Sequence, residues 1–124
     1  MPIHLTDREA DVMRVLWERG PSLVAEVREQ LADPLAYTTV LTVLRILESK
    51  GYVAHAEEGR VHRYYASIGR QTARKSALRH LTDKLFEGSS ELLMTQLVSD
   101  QKLTDEQVQR LRKLLAAKRG RAKP

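Results

Sequence analysis

The chain has no cysteine among its 124 residues. This excludes disulfides, thiolate metal ligation and redox sensing by thiols, and it fits a reducing compartment. No stretch approaches the roughly 18 continuous apolar residues that a membrane span needs, and the N-terminal MPIHLTDRE lacks a basic segment leading into an apolar run. The expectation is a cytoplasmic protein with no membrane insertion. No glycine-rich phosphate loop is present, and no nucleophile stands in register with a base and an orienting group. The acidic residues fall instead at helix-surface or capping positions. The chain therefore reads as a non-enzyme without a cofactor. What it has in excess is positive charge: 21 Lys and Arg against 16 Asp and Glu, for a net +5. That balance favours a polyanion as partner.

Thr6-Asp7-Arg8-Glu9 has the form of a capping box, in which the Thr hydroxyl and the Glu carboxylate satisfy each other's free backbone N–H groups. A helix is predicted over 7–19, with Ala10, Met13, Leu16 and Trp17 on its apolar side and Gly20-Pro21 as its stop. Trp17, the single tryptophan, reads as a core anchor because it sits in register with Met13. A short second helix follows in VAEVREQLA, with Val24, Val27 and Leu31 apolar, and it ends before Asp33-Pro34.

Residues 35–51, LAYTTVLTVLRILESKG, predict a third helix with two unlike faces. Val40, Val43, Leu44 and Leu47 want a core. Thr38, Thr42, Arg45 and Ser49 recur on the opposite side, where an ordinary surface helix would carry Glu and Lys. Hydroxyls and a guanidinium are poor helix choices there but good hydrogen-bonding partners for base edges and phosphates. Helix, tight connection and helix in this order make a helix-turn-helix, with the third helix in position to enter a major groove.

Residues 52–57 and 60–66 then read as two short strands around a glycine-containing turn. With Glu58-Gly59 as a two-residue loop, Val53 would pair with Tyr64 and His55 with His62. Three helices followed by a hairpin is the winged-helix order, and Arg60, His62 and Arg63 are placed on the wing to meet the phosphate backbone. Two cross-strand histidines without a third ligand do not define a metal site, and none is assigned. A rival reading makes the same module a protein-interaction domain, its threonine-rich face docking a partner protein.

Composition shifts after Ser67-Ile68-Gly69, which sets the expected organisation: residues 1–68 a winged-helix DNA-binding domain, 69–118 a helical dimerisation domain, 119–124 a basic tail. Three amphipathic helices are expected in the second part, the last opened by a capping box at Thr104-Asp105-Glu106-Gln107. Some 50 residues carry more apolar helix surface than three short helices readily hide. A second copy would cover Leu78, Leu81, Leu85, Leu93, Leu97, Val108, Leu111 and Leu115, so a homodimer is expected over an independent three-helix bundle. The fold class is thus mainly α with a small β-hairpin: an N-terminal winged helix-turn-helix plus a C-terminal three-helix dimerisation domain.

LTDREADVMRVLWERGP, LAYTTVLTVLRILESKGYV, EGRVHRYYA and LFEGSSELLMTQLVSDQKLTDEQVQRLRKLL together resemble the BlaI/MecI penicillinase-repressor family over nearly the whole chain. AYTTV at 36–40 and Gly59-Arg60 are the most specific parts. The resemblance implies a dimeric transcriptional repressor that binds inverted-repeat operators in double-stranded DNA. It places Thr38, Thr39, Thr42 and Arg45 on the groove-contacting helix and Arg60 with its neighbours on the wing. Copper-responsive members carry a cysteine-rich hook near the C-terminus, which this chain lacks. Members tied to antibiotic resistance are inactivated when a membrane sensor-transducer metallopeptidase triggers cleavage at an Asn-Phe bond. The matching positions here are Gln96-Leu97, a candidate cleavage site that reads more simply as part of a dimer-packing helix.

Overall fold

A computed structural model describes residues 2–122 of the chain, in two compact units divided between His80 and Leu81. In the first unit, α1 (Asp7–Arg19) starts at the expected box: Glu9 N–H donates to Thr6 Oγ1 at 3.2 Å, and Thr6 N–H donates to Glu9 Oε1 at 2.7 Å. It stops at Gly20, whose φ of 88° lies in the left-handed region that favours glycine. Its buried face is Glu9, Val12, Met13, Val15 and Leu16, while Ala10 is exposed, so the apolar stripe is rotated from the expected one. Trp17 does anchor the core edge. It is partly buried, its Nε1–H donates to the Ile68 carbonyl at 2.9 Å, and the Arg70 guanidinium lies 5.7 Å over its ring.

A two-residue strand, β1 (Ser22–Leu23), precedes α2 (Val24–Gln30). The Leu23 N–H donates to Glu26 Oε1 at 2.8 Å, which meets one free donor at the start of this short helix. Then comes α3 (Tyr37–Ser49), with Val40, Val43, Leu44 and Leu47 buried as its periodicity requires. The chain turns at Gly51 (φ 86°) into β2 (Val53–Glu58) and β3 (Val61–Ala66). The sheet is antiparallel in the order β1-β3-β2, with Ser22 opposite Tyr64 and Leu23 opposite Arg63.

The hairpin therefore belongs to a three-stranded sheet, and its register differs from the expected one. The loop is Gly59-Arg60, so Val53 pairs with Ala66, His55 with Tyr64, and Glu57 with His62. The physical reason is in the turn. Glu58-Gly59 as a loop of type I′ would force Glu58 to positive φ, whereas Gly59 alone takes it here, at 64°. Side-chain facing survives the shift: His55, Glu57, His62 and Tyr64 share one face, and Glu58, Val61 and Arg63 the other. Val12, Met13, Leu16, Val24, Val27, Val40, Leu44, Leu47, Val53 and Tyr64 close a single core between the helices and the sheet.

The unit boundary falls inside α4 (Arg70–Leu85), later in the chain than the compositional shift at 68/69. Ala73, before the boundary, is buried. In the second unit α4 ends at Glu87 (φ 52°) and Gly88 (φ 74°), with the Phe86 and Gly88 N–H groups both donating to the Thr82 carbonyl at 3.0 Å. Ser89 caps α5 (Ser90–Asp100) by accepting from the Leu92 N–H at 3.1 Å. The second capping box forms as expected, with Gln107 N–H donating to Thr104 Oγ1 and Thr104 N–H to Gln107 Oε1. It opens α6 (Asp105–Ala122), which carries residues 119–122 of the basic tail in helix; Lys123 and Pro124 lie outside the described residues. No helix among the described residues is long and apolar enough to cross a membrane.

Candidate nucleic-acid interface

Burying Val40, Val43, Leu44 and Leu47 turns the other side of α3 outward, and Thr38, Thr42, Arg45 and Ser49 are all exposed on it. Thr39 is half-buried. The Thr42 hydroxyl donates to the Thr38 carbonyl at 2.9 Å, which commits its proton and leaves its methyl group and remaining lone pair facing out. Arg45 lies close enough to Tyr64 of β3 to influence its phenol. Burial pushes that phenol up from its usual value, Glu48 adds to the effect and Arg45 opposes it. Two further residues widen the surface, Tyr37 and Ile46, each nearly half exposed. Ile46 follows Thr42 by one helical turn. Its signal in the sequence was a β-branched residue off the core stripe.

The wing candidates separate into different roles. Arg60 sits at the loop, exposed, with no ion pair among the described residues. Arg63 is not a free cation. It pairs with Glu58 at 2.6 Å and with Glu26 of α2 at 3.3 Å, and the Glu58 hydrogen bond foremost holds its pKa above the usual arginine value. The carboxylates respond in kind: Arg63 lowers Glu58, and the Leu23 amide, aided by Arg19 and Arg63, lowers Glu26. Arg63 thus ties β3 to β2 and to α2, so it braces the wing in addition to its expected place facing phosphate.

His62 is likewise occupied. Its ring stacks on His55 with centroids 4.3 Å apart and planes 11° from parallel. The two imidazoles are not without carboxylates: Glu57 Oε1 lies 3.8 Å from His62 Nε2, and Glu48 of α3 holds His55 Nδ1 at 2.7 Å. A second tie fixes the far end of α3. Lys50 Nζ lies 2.8 Å from the buried Glu9 carboxylate of α1. Burial by itself would raise Glu9, but the Lys50 ammonium and the Thr6 amide outweigh it and leave the carboxyl below its ordinary value.

In the second unit Leu93 is buried and Val108 half-buried, whereas Leu81, Leu85, Leu97, Leu111 and Leu115 are exposed, as is Leu78 of α4 in the first. Leu92, Met94, Val98 and Leu114 are exposed beside them. Gln96-Leu97 lies inside α5, where the Gln96 amide donates to Asp100.

A helix-turn-helix followed by a hairpin, with hydroxyls and a guanidinium on the exposed face of its second helix and a cation at the wing loop, defines a winged-helix domain. Solved structures agree in fold. A MarR-like transcription regulator of Bacillus cereus superposes with a TM-score of 0.52 at 17% identity, over 96% of this chain and 78% of that one. A ZitR variant of Lactococcus lactis gives 0.50 at 21%, over 98% and 77%.

The penicillinase repressor family model matches residues 5–117, and the chain belongs to that family of DNA-binding transcriptional repressors. The chain is similar to the penicillinase repressor of Bacillus licheniformis, 24% identical over 121 residues that cover 96% of this chain and 94% of the relative. BlaI of Mycobacterium tuberculosis is 45% identical over 69 residues, 53% of this chain and 50% of that protein. MecI of Staphylococcus aureus is 19% identical over 116 residues, 92% and 94%.

Proposed function

We propose that the chain is a homodimeric repressor that reads an inverted-repeat operator with α3 and steadies itself on the phosphates with Arg60. One observation carries the reading: Thr38, Thr42, Arg45 and Ser49 are exposed together on one face of α3, while every apolar residue of the opposite stripe is buried. Arg45 suits bidentate contact with guanine, and the threonine methyls suit thymine methyls. Two copies joined through the exposed leucines would set their α3 helices about 10 bp apart, or a multiple of it. A promoter covered in this way is silenced in the cytoplasm, where the DNA lies.

Release then follows from anything that splits the dimer, because a single half-site holds one copy weakly. Gln96-Leu97 is a candidate point of attack for a protease controlled by a membrane sensor-transducer metallopeptidase. Its position within α5 means that the helix must open locally before a protease can take the bond in extended form.

A mobility shift with DNA from the region upstream of its own gene tests the reading, paired with sedimentation of the free protein. A saturable shift that survives competitor DNA, from a species of twice the chain mass, is expected. No shift at low salt would overturn it and favour the protein-interaction module.

A further inference from the structure

We propose that His55, Glu57 and His62 form a binding site for a divalent transition-metal ion on the wing, with Glu48 orienting His55 from α3. All three ligand groups lie on one face of the hairpin, Glu57 directly across from His62 and His55 two residues before Glu57. One ligand atom from each lies within 4.8 Å of the others. Nitrogen and oxygen donors around a single four-coordinate ion stand about 3.3 Å apart, so closure asks for a shift of roughly an ångström or more. The outer side chains can supply it. Glu57 is 73% exposed and His62 42% exposed, so both have room to turn toward His55, His62 by leaving its stack on that ring.

What distinguishes this cluster from two histidines that merely stack is the fourth residue. Glu48 takes the His55 Nδ1 position, at 2.7 and 2.9 Å from its two oxygens. That contact puts the proton on Nδ1 and leaves the Nε2 lone pair available, which is the arrangement by which a carboxylate orients a metal-ligating histidine. Two imidazoles and one carboxylate form a borderline donor set that suits Zn²⁺, Co²⁺, Ni²⁺ or Cu²⁺ over Mg²⁺ or Ca²⁺. The exposed side keeps a coordination position for water. The ligands come from both hairpin strands and their orienter from α3, so a bound ion clamps the wing to that helix.

The test uses the full chain, stripped of metal, with Co²⁺ and Zn²⁺ themselves as probes. Expected are one Co²⁺ per chain with the visible absorption of a four- or five-coordinate centre, its displacement by Zn²⁺, and a raised Tm in the loaded protein. His62→Gln and Glu57→Gln change exposed side chains and should leave the fold intact by circular dichroism while weakening binding at least tenfold. Glu48→Gln should weaken it roughly 10- to 100-fold, the usual effect of losing an orienting partner. The other close histidine pair, His4 and His80 at 6.2 Å, is the control. Stoichiometric binding that survives His62→Gln, or that disappears in the His4→Gln/His80→Gln variant, overturns the proposal, as does no binding at all. The readout is the ion, so the result does not depend on operator binding.

Discussion

Glu48, in the last turn of α3, holds Nδ1 of His55 on β2 at 2.7 Å, so the helix proposed to read DNA and the strand that begins the wing share a hydrogen bond. Lys50, two residues on, ties the end of the same helix to Glu9 of α1. The outward face of α3 is therefore held against both its neighbours, and the threonines and arginine on it need not be ordered by the ligand. Preorganisation of this kind lowers the entropy lost on binding.

Arg45→Ala should weaken specific operator binding by roughly 1–3 kcal/mol and relax preference at one base pair. Arg45 is exposed, so the fold should be kept. Titrating matched operator variants checks this, and an unchanged footprint strength would remove Arg45 from the contact surface.

Arg60→Ala and Arg63→Ala should part company. The first removes an exposed cation at the wing loop, so binding falls by a similar factor on all sequences and the salt slope flattens by about one. The second breaks the contacts to Glu58 and Glu26 and should appear mainly as a lower Tm. Salt titrations of binding beside thermal melts separate the two. A salt slope altered more by the Arg63 change than by the Arg60 change would make Arg63 the main phosphate contact of the wing.

Glu9 makes the acid limb of stability readable. Its folded-state pKa lies below the ordinary value of 4.5, so its stabilisation is complete above that pH and is lost as pH falls through the lower folded value. Lys50→Met leaves the buried carboxylate without its cation and should cost about 1–3 kcal/mol near pH 7. That cost should shrink below pH 4.5, where Glu9 takes up a proton. Urea unfolding of both proteins between pH 3 and 7 gives the comparison; a cost independent of pH would mean that the Lys50 stem, and not its charge, matters.

Leu115→Glu should convert the proposed dimer to monomer without unfolding the chain, because Leu115 is 51% exposed and carries little of the second unit's own packing. Sedimentation and circular dichroism report the two effects separately. A variant that remains dimeric would place the interface elsewhere on the exposed apolar surface.

The elements that were legible in the amino-acid order are those whose stabilising partners lie within a few residues. The Thr6–Glu9 and Thr104–Gln107 boxes are local by construction, and the two faces of α3 follow from helical periodicity once one side must be buried. Strand β1 was not legible. Two residues carry no period, and Ser22 and Leu23 are strand only because Tyr64 and Arg63 lie across from them. The hairpin register turned on which residue takes positive φ, a choice between neighbouring loops that a pattern of alternating side chains cannot make.

By itself, then, the sequence determined the order of helices and hairpin, the inward and outward sides of α3, and the family, since all of these rest on spacing and motif. Tertiary structure decided which charges are spent and which are free. Arg63 and Arg60 look alike in the chain, yet pairing with Glu26 turns one into a brace and leaves the other at the loop. His55 and His62 became a cluster only when folding brought Glu48 and Glu57 to them. Electrostatic roles depend on distances through space, and those exist only once the core has closed.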